Sequence, residues 1–286
     1  MAAGADNAYA GPAISFRDVC FRYHDDDQHV LSGISFDVAA GEHVAIVGAN
    51  GSGKSTLAKL INGLLVPDSG TVTVGGYVTN DPRCTYRVRA HAGLVFQNPD
   101  DQVVTSIVRD DVAFGPENLG LSPAEIVARV EDALRTVGMW EHADDDVATL
   151  SGGQRQRVTI AGILAMRPSV LVLDEPGAML DPRGRRGIRR VSRELHAAGM
   201  TVVVITQHME EAVLADRVMV LDHGRIVTIG SPEEVFTDPG RLRSLGLDVP
   251  FPLLVAEALR SRGVDVPLTL DEAMLEEAIC RSASTT

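Results

Sequence analysis

The chain has 286 residues, of which 45 % are hydrophobic, so it is long enough for one large domain or for a main domain with a smaller appendix. Acidic residues outnumber basic ones, 39 to 26, and the formal net charge of −13 argues against nucleic-acid binding through a basic surface. Three widely spaced cysteines fit neither a disulfide framework nor a zinc site, and no apolar stretch exceeds strand length. These features predict a cytosolic protein that does not span a membrane.

The first third of the chain has the pattern of short β-strands. Residues 1–12 are small and polar, which indicates a flexible tail. After them, alternating or continuous apolar runs predict strands at 14–23, 35–38, 43–47 and 71–74. We expect most of these strands to form a small antiparallel sheet that flanks a first nucleotide-binding strand.

The remainder of the chain alternates between helical and strand patterns. The sequence predicts an inserted helical subdomain at residues 98–150, because Ser122 and Glu125 form a capping box before an apolar helix face. Residues 241–286 read as a small helical appendix with helices at 251–261 and 270–280, the second capped by Thr269. Further strands are predicted at 170–173, 202–205, 218–221 and 226–229, which indicates an α/β fold with a mostly parallel core sheet within residues 13–240.

The strongest motif is a glycine-rich phosphate loop, residues 48–56, which lies between a buried strand and an apolar-faced helix. Its sequence matches Gly-x-x-x-x-Gly-Lys-Ser, in which backbone N–H groups and the helix N-terminus bind the phosphates of ATP. Lys54 is expected to reach the β- and γ-phosphates and Ser55 to bind Mg²⁺. The nucleotide-binding residues of this loop are Gly48, Asn50, Gly51, Ser52, Gly53, Lys54, Ser55 and Thr56.

Two adjacent acids end the apolar strand at 170–173. We assign Asp174 to the metal and Glu175 to the attacking water, because phosphoryl transfer needs one group at each place. Two acids at a strand end can also be solvated loop residues, but the phosphate loop upstream makes that alternative weak.

A second glycine-rich segment lies about twenty residues before the acidic strand. Leu150, Ser151, Gly152, Gly153 and Gln154, called here the signature segment, open a helix and resemble the signature of ABC-transporter ATPases. In that family the segment contacts the ATP held by a second subunit, so the resemblance implies a head-to-tail dimer with two shared sites. It also implies a P-loop NTPase fold of the ABC type.

Four further residues take roles from the same resemblance. Gln97 is similar to the glutamine that touches Mg²⁺ and water and hinges the helical subdomain, with an ordinary surface residue as the alternative. His208 is similar to the switch histidine at the γ-phosphate, with a surface or core histidine as the alternative. Tyr23 stands where the family stacks a ring on adenine, with simple packing as the alternative. Asp181 stands in the D-loop, where a helix cap before Pro182 is a compatible alternative.

Two segments resemble the energy-coupling-factor branch of the family: residues 95–102, an extended Q-loop, and residues 245–251 near the C-terminus. Gly177 stands where this branch often has a hydroxyl residue. The resemblance implies a subunit on the cytoplasmic face of the membrane that pairs with an identical or homologous ATPase. Its other partners would be an integral membrane T-component and an S-component that captures a vitamin or a transition-metal ion. Another ABC importer, or an ABC ATPase without a membrane partner, remains the alternative.

Overall fold

The computed structural model describes residues 9–24, 28–236 and 238–283. Most of the predicted tail, residues 1–8, therefore lies outside the described residues. Within them, ten strands form two sheets. The strands are β1 (Ile14–Phe21), β2 (Leu31–Val38), β3 (His43–Val47), β4 (Ser69–Val74), β5 (Tyr77–Val78), β6 (Ala92–Val95), β7 (Val170–Asp174), β8 (Thr201–Ile205), β9 (Arg217–Asp222) and β10 (Arg225–Gly230).

Helices cover both faces of the larger sheet and form the C-terminal part of the chain. They are α1 (Lys54–Ile61), α2 (Thr85–His91), α3 (Val108–Asn118), α4 (Pro123–Thr136), α5 (Gly152–Ala165), α6 (Pro182–Ala197), α7 (Met209–Ala212), α8 (Pro232–Phe236), α9 (Pro239–Ser244), α10 (Phe251–Arg260) and α11 (Glu272–Ala283).

The larger sheet has the strand order β10-β9-β3-β8-β7-β6. Its strands are parallel except for the β9–β10 hairpin at one edge. The register aligns the strand ends, because Ile205 of β8 pairs with both Ile46 of β3 and Asp174 of β7. The loops that follow β3, β7 and β8 therefore begin at the same edge, where open α/β sheets bind their ligands.

The smaller sheet has the order β2-β1-β4-β5 and is antiparallel throughout. Its buried side chains, among them Phe16 and Ile34, share one core with α1 and one face of the larger sheet. The structure thus confirms the predicted α/β fold with an antiparallel flank. The predicted strand at 35–38 is longer in the structure, since β2 begins at Leu31.

The region after β6 is helical, as the sequence predicts. The capping box at the start of α4 is present: the Ser122 hydroxyl accepts from the Glu125 N–H, and the Glu125 carboxylate accepts from the Ser122 N–H. Buried residues of α3 and α4 share a second core with α5. The boundaries 98–150 for this subdomain stay a prediction.

The buried residues that follow β10 belong to two separate hydrophobic clusters. Leu242, Leu247 and Leu253 join the core of the larger sheet, whereas Ala256, Val266, Leu275 and Ala278 form a small separate cluster. Within the described residues, no helix is both long and apolar enough to cross a bilayer.

One predicted helix boundary is wrong. The second C-terminal helix begins at Glu272 rather than at residue 270, and Thr269 does not cap it. Instead the Thr269 hydroxyl accepts from the Asp271 N–H, and the Asp271 carboxylate accepts from the N–H groups of Ala273 and Met274. Both residues are good caps by type, and the ionised carboxylate is the stronger acceptor at a helix N-terminus.

Candidate functional site

The phosphate loop connects β3 to α1, and two of its glycines are required by geometry. A Cβ at Gly48 would collide with the Leu221 carbonyl oxygen and lie 2.6 Å from the Ser52 hydroxyl oxygen. Gly53 has a φ of 104°, in the left-handed region, and a Cβ there would lie 2.7 Å from the Leu31 side chain. Gly53 precedes α1 without a side-chain cap, so the N–H groups at this helix end are open to a ligand.

Lys54 is held inside the loop. Its Nζ donates to the carbonyl oxygens of Gly48 (2.8 Å) and Ala49 (3.0 Å), and the residue is 5 % exposed. Burial lowers the pKa of Lys54, and the nearby carboxylates of Glu175 and Asp174 oppose that shift. The ammonium group is therefore positioned in advance for an anion.

Two more side chains of the loop carry hydroxyl groups, of which one has no hydrogen-bond partner among the described residues and the other is bonded to Tyr23. The Ser52 hydroxyl is buried and makes no hydrogen bond to any residue in the described part of the chain. Thr56 exchanges a hydrogen bond of 3.1 Å with the Tyr23 hydroxyl, while Tyr23 itself is 49 % exposed. The structure thus brings Tyr23 to the loop with an accessible ring, and adenine stacking stays a prediction.

Asp174, at the end of β7, faces the start of α1. Its Oδ1 accepts a hydrogen bond of 3.1 Å from the Ser55 hydroxyl. Burial raises the pKa of Asp174, and the hydrogen bond from Ser55 opposes the rise. A buried carboxylate beside a hydroxyl supplies the oxygen ligands that Mg²⁺ prefers, and a bound cation would neutralise the buried charge, so these residues fit the metal.

Glu175 lies next to the phosphate loop and is held by backbone and side-chain contacts. Its N–H donates to the Ile205 carbonyl oxygen (2.9 Å), and its Oε2 accepts from the Gln97 amide (3.2 Å). Its Oε1 is 4.0 Å from Lys54 Nζ. The φ of Glu175 is 47°, in the left-handed region that residues with a Cβ seldom adopt.

The side chain that approaches Glu175 from β8 is Gln207, which the sequence analysis did not single out. The Gln207 amide nitrogen donates to Glu175 Oε1 (2.9 Å) and to Asn50 Oδ1 (2.5 Å). His208, by contrast, is exposed, and its imidazole makes no hydrogen bond within the described residues. The role of His208 at the γ-phosphate therefore stays a prediction. The position of Gln207 in the sequence could have identified it, because it follows a strand that ends at the same sheet edge as β3 and β7.

The signature segment lies at a different place. The Ser151 hydroxyl accepts from the Gln154 N–H, the Gln154 side chain accepts from the Ser151 N–H, and Leu150 is buried. Ser151, Gly152, Gly153 and Gln154 line a cavity of about 970 Å³, to which the phosphate loop contributes no lining residue. One copy of the chain therefore keeps the two glycine-rich segments apart.

Asp181 lines the same cavity and caps α6. Its Oδ1 accepts a hydrogen bond of 2.7 Å from the Gly184 N–H, and Pro182 is the first helical residue. The predicted cap is confirmed, and the coupling role in the D-loop stays a prediction.

Comparisons with known proteins show the family to which the chain belongs. Residues 31–178 match the family model described as ABC transporter. An energy-coupling factor transporter ATP-binding protein, EcfA1, from Symbiobacterium thermophilum is 54 % identical over 258 residues, which cover 88 % of each chain.

Two solved structures are also similar. CbiO1 from Clostridium perfringens, described as part of the ABC transporter complex cbiONQ, is 35 % identical with a TM-score of 0.75, and the match covers 87 % of this chain and 99 % of that one. A dimeric post-hydrolysis state of the ATP-binding cassette MJ0796, bound to ADP and Pi, is 27 % identical with a TM-score of 0.69, covering 77 % and 98 %. The chain therefore belongs to the ABC transporter family, as an ATP-binding subunit that hydrolyses ATP to drive transport.

Proposed function

We propose that this chain is the ATPase subunit of an energy-coupling-factor importer for a vitamin or a transition-metal ion. The names of its relatives and the resemblance of residues 95–102 and 245–251 to this branch support the assignment. The chain acts as a peripheral subunit at the cytoplasmic face of the membrane. Its membrane partners are a T-component and an S-component, which recognises the cargo.

In the proposed site, Lys54 and the open N–H groups of the phosphate loop bind the ATP phosphates, and Tyr23 stacks on adenine. Ser55, Asp174 and Gln97 hold Mg²⁺, which when bound neutralises charge on the phosphates. Glu175 orients the attacking water and accepts its proton.

A second ATPase, identical or homologous, completes each site. The separation of the signature segment from the phosphate loop supports this arrangement, because each glycine-rich segment then faces the other kind on the partner. ATP binding closes the head-to-tail dimer, and hydrolysis with loss of phosphate opens it. The appendix at 241–286 adds a contact between the two ATPases, which the 60 % exposure of Phe251 supports.

The observation that carries the transport role is an apolar groove beside the Q-loop. This groove, of about 670 Å³, lies between β6, α2 and α3, and its lining includes Tyr86, Phe96, Val104 and Phe114. Tyr86, Val104 and Phe114 are 56 %, 57 % and 43 % exposed. Exposed apolar residues gathered in a concave surface are typical of protein interfaces, and a helix of the membrane subunit fits here.

The experiment purifies the tagged chain from membranes together with its partners. Wild type is expected to recover integral membrane subunits in stoichiometric amounts, and the double variant Val104→Asp, Phe114→Asp about tenfold less, because it buries charge in the interface. The matched control is Val127→Asp, which alters an apolar residue that is 66 % exposed on α4, outside the groove. ATP hydrolysis by each isolated chain reports folding.

The outcomes separate the proposed importer from the alternatives. Mass spectrometry that identifies other types of importer subunit would assign the chain to another ABC importer. Repeated absence of any integral membrane protein with wild type would favour an ATPase that acts without a membrane partner. Equal recovery with the groove variant and the control would exclude the groove as the contact.

A further inference from the structure

The turn after β8 presents a side chain to Glu175 that the resemblance does not account for. Gln207 Nε2 is 2.9 Å from Glu175 Oε1, and Gln97 Nε2 is 3.2 Å from Glu175 Oε2. Each oxygen of this carboxylate therefore accepts from one glutamine amide. Because an ionised carboxylate only accepts hydrogen bonds, its neighbour must present the amide nitrogen, which fixes the orientation of the Gln207 side chain.

The turn that carries Gln207 is itself firmly held. The Thr206 hydroxyl donates to Glu211 Oε2 (2.6 Å) within the core and accepts from the His208 N–H (3.0 Å). Ile205, just before the turn, accepts the backbone hydrogen bond of Glu175. Gln207 and Glu175 are thus attached to the same strand end, and the amide does not depend on a mobile loop for its position.

We infer that Gln207, rather than the adjacent His208, is the residue of this turn that positions the water-activating carboxylate. Two amide donors, one on each oxygen, stop the carboxylate from rotating and still leave each oxygen a lone pair for the attacking water. An uncharged amide does this without adding charge beside Lys54.

The inference rests on the proposed role of Glu175 and not on the identity of the transporter. The alternative is that Gln207 only tethers the phosphate loop, through its hydrogen bond of 2.5 Å to Asn50 Oδ1. A tether would act on nucleotide binding, whereas a positioning residue would act on turnover after binding.

The experiment compares Gln207→Ala, the near-isosteric Gln207→Glu, and His208→Ala in the full-length ATPase. Gln207→Ala is expected to lower kcat about tenfold or more while the Kd of a fluorescent ATP analogue changes less than about twofold. Gln207→Glu is expected to lower kcat further, because it places a second carboxylate beside that of Glu175. The loss caused by His208→Ala is expected to be at least about tenfold smaller than that caused by Gln207→Ala.

A double-mutant cycle gives a readout that a purely structural role would not move. In a Glu175→Gln background the carboxylate is gone, so adding Gln207→Ala is expected to change the residual single-turnover rate less than about twofold. Thermal unfolding of every variant checks that the chain is folded.

Several results would overturn the inference. These are an unchanged kcat in Gln207→Ala, a loss that persists undiminished in the Glu175→Gln background, or a larger loss for His208→Ala than for Gln207→Ala. A weaker Kd with unchanged kcat, reproduced by Asn50→Ala, would assign Gln207 to the tether instead. If Glu175→Gln itself left turnover unchanged, the role of Glu175 would fail, and that result is visible separately from the others.

Discussion

The phosphate loop and the signature segment are both glycine-rich and both precede a helix, but they are built differently. The phosphate loop is largely buried, and within it the Lys54 ammonium donates to the carbonyl oxygens of Gly48 and Ala49. Its helix, α1, has no side-chain cap. The signature segment is more exposed and is closed by the reciprocal hydrogen bonds of Ser151 and Gln154, which cap α5.

This difference favours the phosphate loop over the signature segment as the place where a single chain binds ATP. Uncapped N–H groups and a buried cation make an anion site, whereas the cap on α5 uses up one of the same donors. The Ser151 hydroxyl accepts a hydrogen bond in the cap and keeps its own proton to donate. The signature segment is therefore suited to add a few contacts to a nucleotide already bound elsewhere.

The largest expected effect comes from blocking hydrolysis while both segments stay intact. Glu175→Gln is expected to bind ATP but to turn it over about a hundredfold or more slowly, because the amide cannot accept the proton of the water. The ATP-bound dimer should then persist and elute earlier on size-exclusion chromatography.

Two variants test whether that dimer needs the phosphate loop. Adding Lys54→Ala to Glu175→Gln should abolish the ATP-dependent shift in elution, because the phosphates lose their cation. Adding Glu131→Gln to Glu175→Gln instead, at a surface pair with Arg135 on α4, should leave the ATP-dependent shift unchanged. A dimer that formed equally well without ATP would contradict the difference drawn between the two segments.

The second prediction concerns the strand that leads into the phosphate loop. Burial, and then the neighbouring His196, lower the pKa of His43 on β3 to about 4. In the unfolded chain His43 has its ordinary pKa of about 6.5, so it is protonated at pH values where it is still neutral in the folded chain. The free energy of unfolding therefore falls as the pH drops below about 6.5. Between pH 7 and pH 5 His43 should cost about 2 kcal/mol of stability.

Denaturant titrations at the two pH values measure this cost. His43→Gln cannot titrate and should lose about 2 kcal/mol less than wild type over the same interval. His24→Gln, which alters an exposed histidine, should keep the wild-type difference. Parallel losses in His43→Gln and wild type would show that other groups govern the acid sensitivity of this region.

The smallest expected effect separates capping from function with a matched pair. Ser122 and Ser151 are both N-caps in complete capping boxes, so replacing either by alanine should destabilise the chain by about 1 kcal/mol. Only Ser151→Ala should also lower ATP turnover, by about tenfold, because only that hydroxyl faces the cavity beside α6. Equal ATP turnover in the two variants would show that Ser151 acts only as a helix N-cap.

Sequence reasoning succeeded where a function depends on residues that are close in the chain. The phosphate loop, the strand that ends at Asp174 and the capping box at Ser122 each follow a local pattern, and the structure has each element at the expected place. Strand ends shifted by a few residues, as for β2, because pairing with β1 extends a strand beyond its apolar pattern.

It failed where position depends on distant parts of the chain. Gln207 carries no charge and matches no motif, so its approach to Glu175 appears only when β7 and β8 are aligned in the sheet. The resemblance pointed instead to the adjacent His208, whose role at the γ-phosphate stays a prediction. The cap of α11 failed for a similar reason, since Thr269 and Asp271 are both suitable by type and only the path of the backbone decides between them.

The backbone of Glu175 has a consequence for how this protein can change. A φ of 47° costs a residue with a Cβ about 1–2 kcal/mol, a cost that glycine would not bear. In its proposed role, Glu175 therefore keeps a carboxylate at a position where the backbone alone favours glycine. Glu175→Gly would relieve this backbone cost, but it would also remove the side-chain contacts with Gln97, Gln207 and Lys54 and the group proposed to accept the proton of the attacking water.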